Sequence, residues 1–436
     1  MQIQVNKLRE TLALLKAAVP KKPSLKVLSS VKVGEGKVVA TDLEVSIEVA
    51  LDEAAETFLL PYHLVMDWLK NVPGNQVLTL TPNESKVELS WAGGQSTYQT
   101  GKVDAYPPLN EVEAKVTADV DGDVLVKALG LVAGHASTDK SRPVLTGVCL
   151  FLGDPVAVAA SDGFRMAWQD VSGVAVPATD EIKEVIIPAR SAAVLAELVA
   201  RSPRMAPAGG SFAARLVSGR RMQLELTEAK MKARCGPVTL TTRLIKGNFP
   251  NYKQLIPAEP PIQVRVFAPD MERALKGLSS VARDGSGIAR LVWSGGAMTV
   301  SAQSFEVGST SSIVPAEILL GGPERVAANV DKLLDYFRGK QGMVTMAVTS
   351  SSAPILFRSG TPPEVLVMPM GVQWDDEKPK PEVPVQVAPP AEQAPEPEAA
   401  AKPKRVVRVK RSQSKKAAKW TPEKTKGGKA TGAGQE

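Results

Sequence analysis

The sequence contains little of the chemistry that catalytic and metal sites require. Among 436 residues there are two cysteines and two histidines. His63 and His135 are far apart and neither has a metal-ligand pattern nearby, so both are expected to be structural, either satisfied or exposed. Cys149 and Cys235 lie in strand-like runs, which favours buried, reduced thiols over a disulfide framework. With no nucleophile elbow and no phosphate-binding loop, we expect no cofactor, no metal and no enzyme activity.

Long apolar runs and aromatic side chains are also scarce. No run approaches the ~18 residues of a membrane span, and residues 1–10 lack the apolar core of an export signal. Aromatic residues make up 5% of the chain, so the core must consist mainly of Val, Leu, Ala and Ile. Hydrophobic residues at 44% and charged residues at 23% are typical of a folded protein. We therefore expect no membrane association.

The positive charge is concentrated at the end of the chain. The net charge is +7, yet residues 401–436 alone carry twelve basic and two acidic side chains. Residues 373–400 are rich in proline and carry two basic and seven acidic side chains. Such sequence buries too little apolar surface to offset its ordering entropy, so residues 373–436 are expected to be disordered. Two roles fit the basic part: electrostatic binding of DNA or another polyanion, and a solubilising linker.

One strand–turn–strand unit occurs three times. Residues 140–168 read KSRPVLTGVCLFLGDPVAVAASDGFRMAW, with a first strand expected from position 144, and the same pattern returns at 25–51 and 289–307. The turn after the second strand contains Asp42 in one copy and Asp162 in another. These carboxylates are expected to cap the turn rather than to form a catalytic pair.

Helical periodicity surrounds each copy of this unit. Apolar residues at helical spacing predict helices at 5–19, 62–70, 123–136, around 194–198, at 269–281 and at 329–338. Each copy then contains two half-units of one helix and about four strands, which bury a helical stripe against a sheet. The chain is thereby divided into a first domain (1–114), a second domain (115–258), a third domain (259–372) and the tail (373–436).

Five short segments carry a resemblance to a known family. They are ATDLE at 40–44, RPVLTG at 142–147, ASDGFR at 160–165, GNFPNY at 247–252 and VMPM at 367–370. Together, over about residues 1–372, they resemble the bacterial sliding clamp, the beta subunit of the DNA polymerase III holoenzyme. The resemblance implies an α+β fold of three tandem clamp-type domains, which forms a head-to-tail dimeric ring around double-stranded DNA. It also implies a cytoplasmic, nucleoid-associated processivity factor.

The resemblance further implies partners and a site for them. The expected partners are the DNA polymerase III catalytic subunit, the clamp loader, other clamp-binding polymerases and repair proteins. They would insert a short peptide into an apolar pocket, whose methionines suit a surface that adapts to several ligands. Phe164 stands where histidine is common in the family, and Gly371 where a basic residue is common, so the peptide preference implied by the resemblance is open at these two positions. The implied pocket comprises Leu145, Ser161, Gly163, Phe164, Arg165, Met166, Pro250, Leu255, Val367, Met368, Pro369 and Met370.

A sliding ring needs weak phosphate contacts that do not depend on base sequence. Basic residues on the helices and in two loops are candidates, although an ordinary solvated helix face explains each of them equally well. These DNA-contact candidates are Lys21, Lys22, Lys70, Lys127, Lys140, Arg142, Arg190, Arg273, Lys276, Lys332 and Arg338. The dimer interface is expected at Ser96 and Tyr98 of the first domain and at Ser280 and Val281 of the third.

Two other classes of function remain open. The chain is either a ring or a DNA-binding scaffold that does not close and whose affinity lies in the basic tail. Only a closed ring is retained on circular DNA and lost from linear DNA. A hydrolase on a repeat fold is the third hypothesis, and the lack of a nucleophile, base or metal set argues against it.

Overall fold

The computed structural model describes residues 1–52, 56–109, 112–202, 220–322 and 324–374. These residues belong to one compact unit, Met1–Trp374. The predictions for the acidic and basic tail fall outside the described residues from position 375 onward. No helix in the described part of the chain is long and apolar enough to cross a membrane.

Six α-helices are present among the described residues, and each predicted helix is confirmed. The first ends earlier than predicted, because the chain tightens into a 3-10 turn over Lys16–Ala18. The helices pack in pairs, two to each predicted domain. Each buries one apolar stripe, as with Met271, Leu275 and Leu278. Their bounds are α1 (Val5–Leu15), α2 (Tyr62–Leu69), α3 (Gly122–Ala133), α4 (Ala189–Arg201), α5 (Ala268–Asp284) and α6 (Val330–Phe337).

The described residues also form 24 strands, eight in each predicted domain. In the first they are β1 (Gln2–Gln4), β2 (Ser30–Gly34), β3 (Lys37–Thr41), β4 (Val45–Ala50), β5 (Phe58–Pro61), β6 (Val77–Asn83), β7 (Lys86–Trp91) and β8 (Gly94–Gln99). In the second they are β9 (Val116–Asp121), β10 (Gly147–Phe151), β11 (Val156–Ser161), β12 (Arg165–Val171), β13 (Glu184–Pro188), β14 (Arg221–Leu226), β15 (Lys230–Cys235) and β16 (Val238–Arg243). In the third they are β17 (Ile262–Phe267), β18 (Ile288–Ser294), β19 (Ala297–Ser304), β20 (Gly308–Leu320), β21 (Glu324–Asn329), β22 (Met343–Val348), β23 (Ile355–Arg358) and β24 (Glu364–Val367).

The sheets are built from groups of four strands, as predicted for the half-units. The eight-stranded sheet has the order β5-β2-β3-β4-β16-β15-β14-β9, so it joins one group from each of the first two domains. The twelve-stranded sheet joins β13-β10-β11-β12 to β24-β23-β22-β17 and then to β20-β19-β18-β21. The remaining group is a separate sheet, β1-β6-β7-β8. The α+β fold with repeated helix-plus-four-strand units is therefore confirmed.

Two equivalent strand pairings connect the domains. At the first junction β4 pairs with β16, and Ser46 lies opposite Thr241. At the second junction β12 pairs with β24, and Met166 lies opposite Leu366. In both cases the strand that comes third along the chain in one group pairs with the strand that comes last along the chain in another group. Strands β20 and β8 hold the same two positions in their own groups, but they do not pair with each other.

One sequence expectation about a strand start was wrong. The alternating pattern predicted a strand from position 144, but β10 begins at Gly147. Pro143–Leu145 forms a 3-10 turn instead, with proline in its first turn. The Thr146 hydroxyl donates a hydrogen bond to the Pro143 carbonyl at 2.8 Å and stabilises this turn. Local turn chemistry therefore outweighs the alternation of apolar residues.

The core has two parts that lie on opposite faces of the sheets. The larger part contains the apolar helix stripes and the strand residues that face them. The smaller part lies on the outer face of the second junction, where Met166, Trp168 and Leu366 are buried together with Phe249 and Tyr252. Cys149 is buried here and Cys235 is buried in the larger core, and both are free thiols as predicted. Burial raises the pKa of both thiols above the ordinary value.

Candidate functional sites at the domain junctions

The turn after β11 positions the predicted pocket residues. The Asp162 carboxylate accepts hydrogen bonds from the backbone N–H groups of Phe164 and Arg165, both at 2.9 Å. Gly163 has φ +89°, a left-handed conformation that favours glycine. An added Cβ would also lie 2.6 Å from a guanidinium nitrogen of Arg142. The capping role predicted for Asp162 is thus confirmed, and the turn holds Phe164 at the surface.

The same carboxylate connects the second and third domains. The Lys332 ammonium lies 2.7 Å from Asp162 Oδ2, and Arg165 lies 3.2 Å from that atom and 3.2 Å from Asp335. Burial acts to raise the pKa of Asp162, but Lys332 and the two backbone donors outweigh it, so this pKa lies below its ordinary value. Arg165 also donates to the Gly134 carbonyl at 3.0 Å. Arg165 and Lys332 therefore stabilise this junction.

His135 lies at the edge of this network. Burial and the nearby positive charge of Arg165 lower the pKa of its imidazole to about 4. His135 is consequently neutral at pH 7. It is half-buried and its Nδ1 has no hydrogen-bond partner among the described residues, so the expected satisfied or exposed ring is not found here. His63, by contrast, is exposed and lies edge-on to Tyr62, with ring centroids 5.1 Å apart.

Predicted pocket residues from three chain segments meet on the outer face of the second junction. The Met368 N–H donates to the Phe164 carbonyl at 2.8 Å, which places the two side chains next to each other. Both are exposed, Phe164 by 61% and Met368 by 37%. Leu255 is 45% exposed and ends the 3-10 turn that begins at Tyr252. Exposed apolar side chains that lie side by side, as those of Phe164 and Met368 do, are common at interaction surfaces, and peptide binding here stays a prediction.

The other predicted pocket residues divide into three groups. Leu145 and Met166 are buried beneath the exposed residues in the small outer core. Val367 is fully buried in the main core, and Arg165 is directed into the junction network, so these two side chains do not line the outer surface. Leu366, which sequence reasoning missed, faces outward instead, because strand alternation puts it on the same face as Met368. The remaining residues, Ser161, Gly163, Pro250, Pro369 and Met370, are half-buried or exposed around Phe164 and Met368.

The predicted DNA-contact residues occupy three kinds of position. Arg190 and Lys332 form ion pairs across the junctions, Arg190 with Asp42 at 2.6 Å and Lys332 with Asp162 at 2.7 Å. Several others pair with a carboxylate of their own segment, and these are Lys70, Arg142, Arg273, Lys276 and Arg338. Four are exposed and have no ion pair among the described residues: Lys21, Lys22, Lys127 and Lys140. Contact with DNA stays a prediction for all of them.

The residues predicted for the dimer interface lie at the surface. Ser96 and Tyr98 are on β8, which pairs with β7 and with no other strand of the described part of the chain, so it is the edge of its sheet. Ser280 is exposed and Val281 half-buried on α5. Sequence reasoning missed β20, whose first half is also an open edge and carries Ile313, 75% exposed. The equivalents of β20 in two other groups, β4 and β12, each pair with a strand of a neighbouring group. This recurrence is the signal that would have identified β20 as an interface strand.

Comparison with known proteins gives consistent matches. Residues 119–206 match the family model described as the DNA polymerase III beta subunit, central domain. The chain is similar to a beta sliding clamp from Synechococcus elongatus, with 26% identity over 382 residues that cover 84% of this chain and 97% of the relative. It is also similar to a beta sliding clamp from Staphylococcus aureus, with 24% identity over 342 residues, or 74% of this chain and 85% of the relative.

Solved structures show the same fold. The DNA polymerase III beta subunit of Pseudomonas aeruginosa superposes with a TM-score of 0.74 at 22% identity, and covers 85% of this chain and 100% of its own. The beta subunit of Thermotoga maritima superposes with a TM-score of 0.71 at 19% identity, and covers 85% of this chain and 99% of its own.

Proposed function

Because this chain belongs to the bacterial beta sliding clamp family, we propose that it encircles double-stranded DNA and tethers proteins to it during replication. The partners would be the DNA polymerase III catalytic subunit, the clamp loader, other clamp-binding polymerases and repair proteins. It is a processivity factor and not an enzyme. The protein would act in the cytoplasm, at the nucleoid.

The observation that carries this proposal is the pair of unmatched strand edges. Strands β4 and β12 each pair with the last strand of another group, β16 and β24. Among the strands of the described residues, only β20 and β8 hold equivalent positions without this pairing. A second copy would pair its β8 with this β20, and the same contact repeated would close a two-subunit ring. Burial of Ile313 and pairing of two exposed edges would stabilise the closed form.

The two faces of the sheets would bind different partners in such a ring. The helices pack against the face of the sheets that carries the main core. The exposed cations Lys127, Arg273 and Lys276 are on these helices, where they can make weak contacts with phosphates. The apolar surface around Phe164 and Met368 is on the opposite face. DNA and a partner peptide could thus bind at the same time.

Retention on circular DNA tests the proposal most directly. The protein is loaded by a clamp loader on a nicked circular plasmid, and the fraction that stays bound through gel filtration at high salt is measured. We expect retention on the circle and loss after a restriction enzyme linearises it, because a ring can slide off a free end. Equal retention on circular and linear DNA would contradict a ring and would favour the scaffold alternative.

The variant Ile313→Asp sharpens this test, because it places a charge on the proposed closing edge. We expect light scattering to change from twice the 46.2 kDa chain mass to the single-chain mass, with loss of retention on the circle. The matched control is Leu64→Asp, at a side chain of α2 that is 58% exposed and away from both edges. It should keep both the dimer mass and the retention.

The basic tail gives a second proposal about DNA. Residues 401–436 carry twelve basic side chains, which would bind phosphates electrostatically. Removal of residues 373–436 should weaken DNA binding at low salt and reduce the slope of log affinity against log salt. An unchanged affinity at low salt would show that this segment is a linker.

A further inference from the structure

On the outer face of the first junction, the backbone has the same arrangement as at the proposed peptide site of the second junction. The Arg243 N–H donates to the Glu44 carbonyl at 3.1 Å, as the Met368 N–H donates to the Phe164 carbonyl. Arg243 and Glu44 therefore occupy the positions of the two exposed apolar residues at the second junction. The chemistry of the first junction is charged where that of the second is apolar.

A cavity of about 370 Å³ lies on this face. The linker between the first two domains forms one wall through Pro107, Pro108 and Leu109. The linker is anchored by Tyr106, which is buried and donates from its hydroxyl to the Val39 carbonyl at 3.3 Å. Pockets of this size are typical of sites for small or extended ligands.

The cavity has an excess of positive charge. Five cations and two carboxylates, Glu44 and Glu48, line it. Lys37 pairs with Glu48 at 2.9 Å and Lys232 with Glu225 at 3.1 Å, while Glu44 lies 3.7 Å from Arg190, which is not among the lining residues. The other three, Lys230, Arg234 and Arg243, have no ion pair among the described residues. Three unpaired cations around one concave surface favour an anionic ligand.

The floor of the cavity suits an extended chain. Thr239 and Thr241 present hydroxyl groups that can donate to and accept from a peptide backbone, and the neighbouring Ser46 hydroxyl, which donates to Thr41 Oγ1 at 2.8 Å, can still accept. The apolar wall would contact every second side chain of that peptide, while the alternate side chains would reach the cations.

We propose that this cavity is a second docking site, which binds an extended segment of a partner protein with alternating acidic and apolar residues. The cavity and its cations do not depend on the proposed function of the chain or on peptide binding at the second junction. The two sites together would let one chain hold two peptides of different chemistry.

Fluorescence polarisation with the full chain tests this site. The probe is a fluorescein-labelled octapeptide of alternating glutamate and leucine, and the comparison peptide has glutamine in place of glutamate. We expect saturable binding that salt weakens, and at least tenfold weaker binding of the glutamine peptide. Arg234→Glu and Arg243→Glu should each weaken the glutamate peptide at least tenfold.

Two control variants locate the binding. Arg221→Glu makes the same charge change on β14, outside the cavity, and should leave the affinity unchanged. Met368→Ala should also leave it unchanged, since that residue is at the second junction. Equal binding of the two peptides, no effect of the cavity variants, or a loss on Met368→Ala would each overturn the proposal. Displacement of the probe by a short DNA duplex, with the same variants weakening that duplex, would instead assign the cavity to nucleic-acid phosphates.

Discussion

The two domain junctions share a backbone and differ in nearly every outward side chain. At each, a strand pairing is preceded by a turn that an aspartate caps, and that aspartate pairs with a cation from the next domain. The outward residues are Ser46, Thr241 and Arg243 at the first junction, and Met166, Leu366 and Met368 at the equivalent places of the second. The comparison teaches that pairing and capping build the junction, whereas the outward side chains are free to determine what it binds.

Removal of the capping carboxylate should have the largest effect, and the effect should differ between the junctions. Asp162→Ala removes two backbone hydrogen bonds and leaves Lys332 and the nearly buried Arg165 without this partner. We expect a loss of about 3 kcal/mol in the free energy of unfolding, measured by urea denaturation. Asp42→Ala should lose only about 1 kcal/mol, because its partner Arg190 is half exposed and is easily hydrated. Equal losses would show that burial of the second network does not matter.

The second junction should also be the more sensitive one to acid. The pKa of His135 is about 4 in the folded state, below its ordinary value, so folding excludes a proton that the unfolded chain binds. Stability is therefore complete above about pH 6.5 and falls as the pH decreases from there, by about 2.5 kcal/mol at pH 4.5. His135→Gln should remove this slope in urea titrations between those pH values, whereas the exposed His63→Gln should keep it. A slope that survives His135→Gln would assign it to other groups.

Variants of the two outer faces should differ in their effect on peptide binding. Met368→Ala together with Met370→Ala removes apolar area beside Phe164 and beside Ala327, and should weaken a polymerase-tail peptide about tenfold, or about 1.4 kcal/mol, in fluorescence polarisation. Arg243→Ala, at the position equivalent to Met368, should leave that peptide unaffected. The fold and the dimer should be intact in all these variants by circular dichroism and light scattering. Unaltered affinity of the methionine variant would mean that the pocket lies elsewhere.

The smallest effect concerns the turns themselves. Leu43 has φ 78° at the place where the second junction has Gly163 with φ 89°, so a leucine occupies a conformation that favours glycine. Gly163→Ala should lower the free energy of unfolding by about 1 kcal/mol. Leu43→Gly should be nearly neutral, because relief of the left-handed strain offsets the greater chain entropy of glycine in the unfolded state. A clear loss on Leu43→Gly would show that its side chain, 39% exposed, contributes packing that the turn needs.

Much of the candidate site could be predicted because it depends on local chemistry. The capping Asp162 follows from a short turn whose pattern recurs in the chain, whereas Phe164 and Met368 were expected from the resemblance to a known family. The expectations that failed concern the direction in which a side chain points. Val367 and Leu366 are neighbours in a strand, and only the side of the sheet that faces the helices determines which one is buried in the main core. Likewise, whether Arg190 meets solvent or Asp42 depends on a contact between domains.

The sequence by itself determined the repeat, the helices of the described residues and the four-strand groups, because periodicity and capping residues are local properties. Only the tertiary structure decided which strand edges meet. Strands β8 and β20 have the same alternating pattern as the strands that pair across the junctions, and their open edges become visible only once β4, β12, β16 and β24 are matched. The cationic cavity also depends on the tertiary structure, because Lys230, Arg234 and Arg243 come together with the residues of β4 only when β16 pairs with that strand. Contacts between residues far apart in the chain depend on how whole sheets pack, and no local pattern encodes that arrangement.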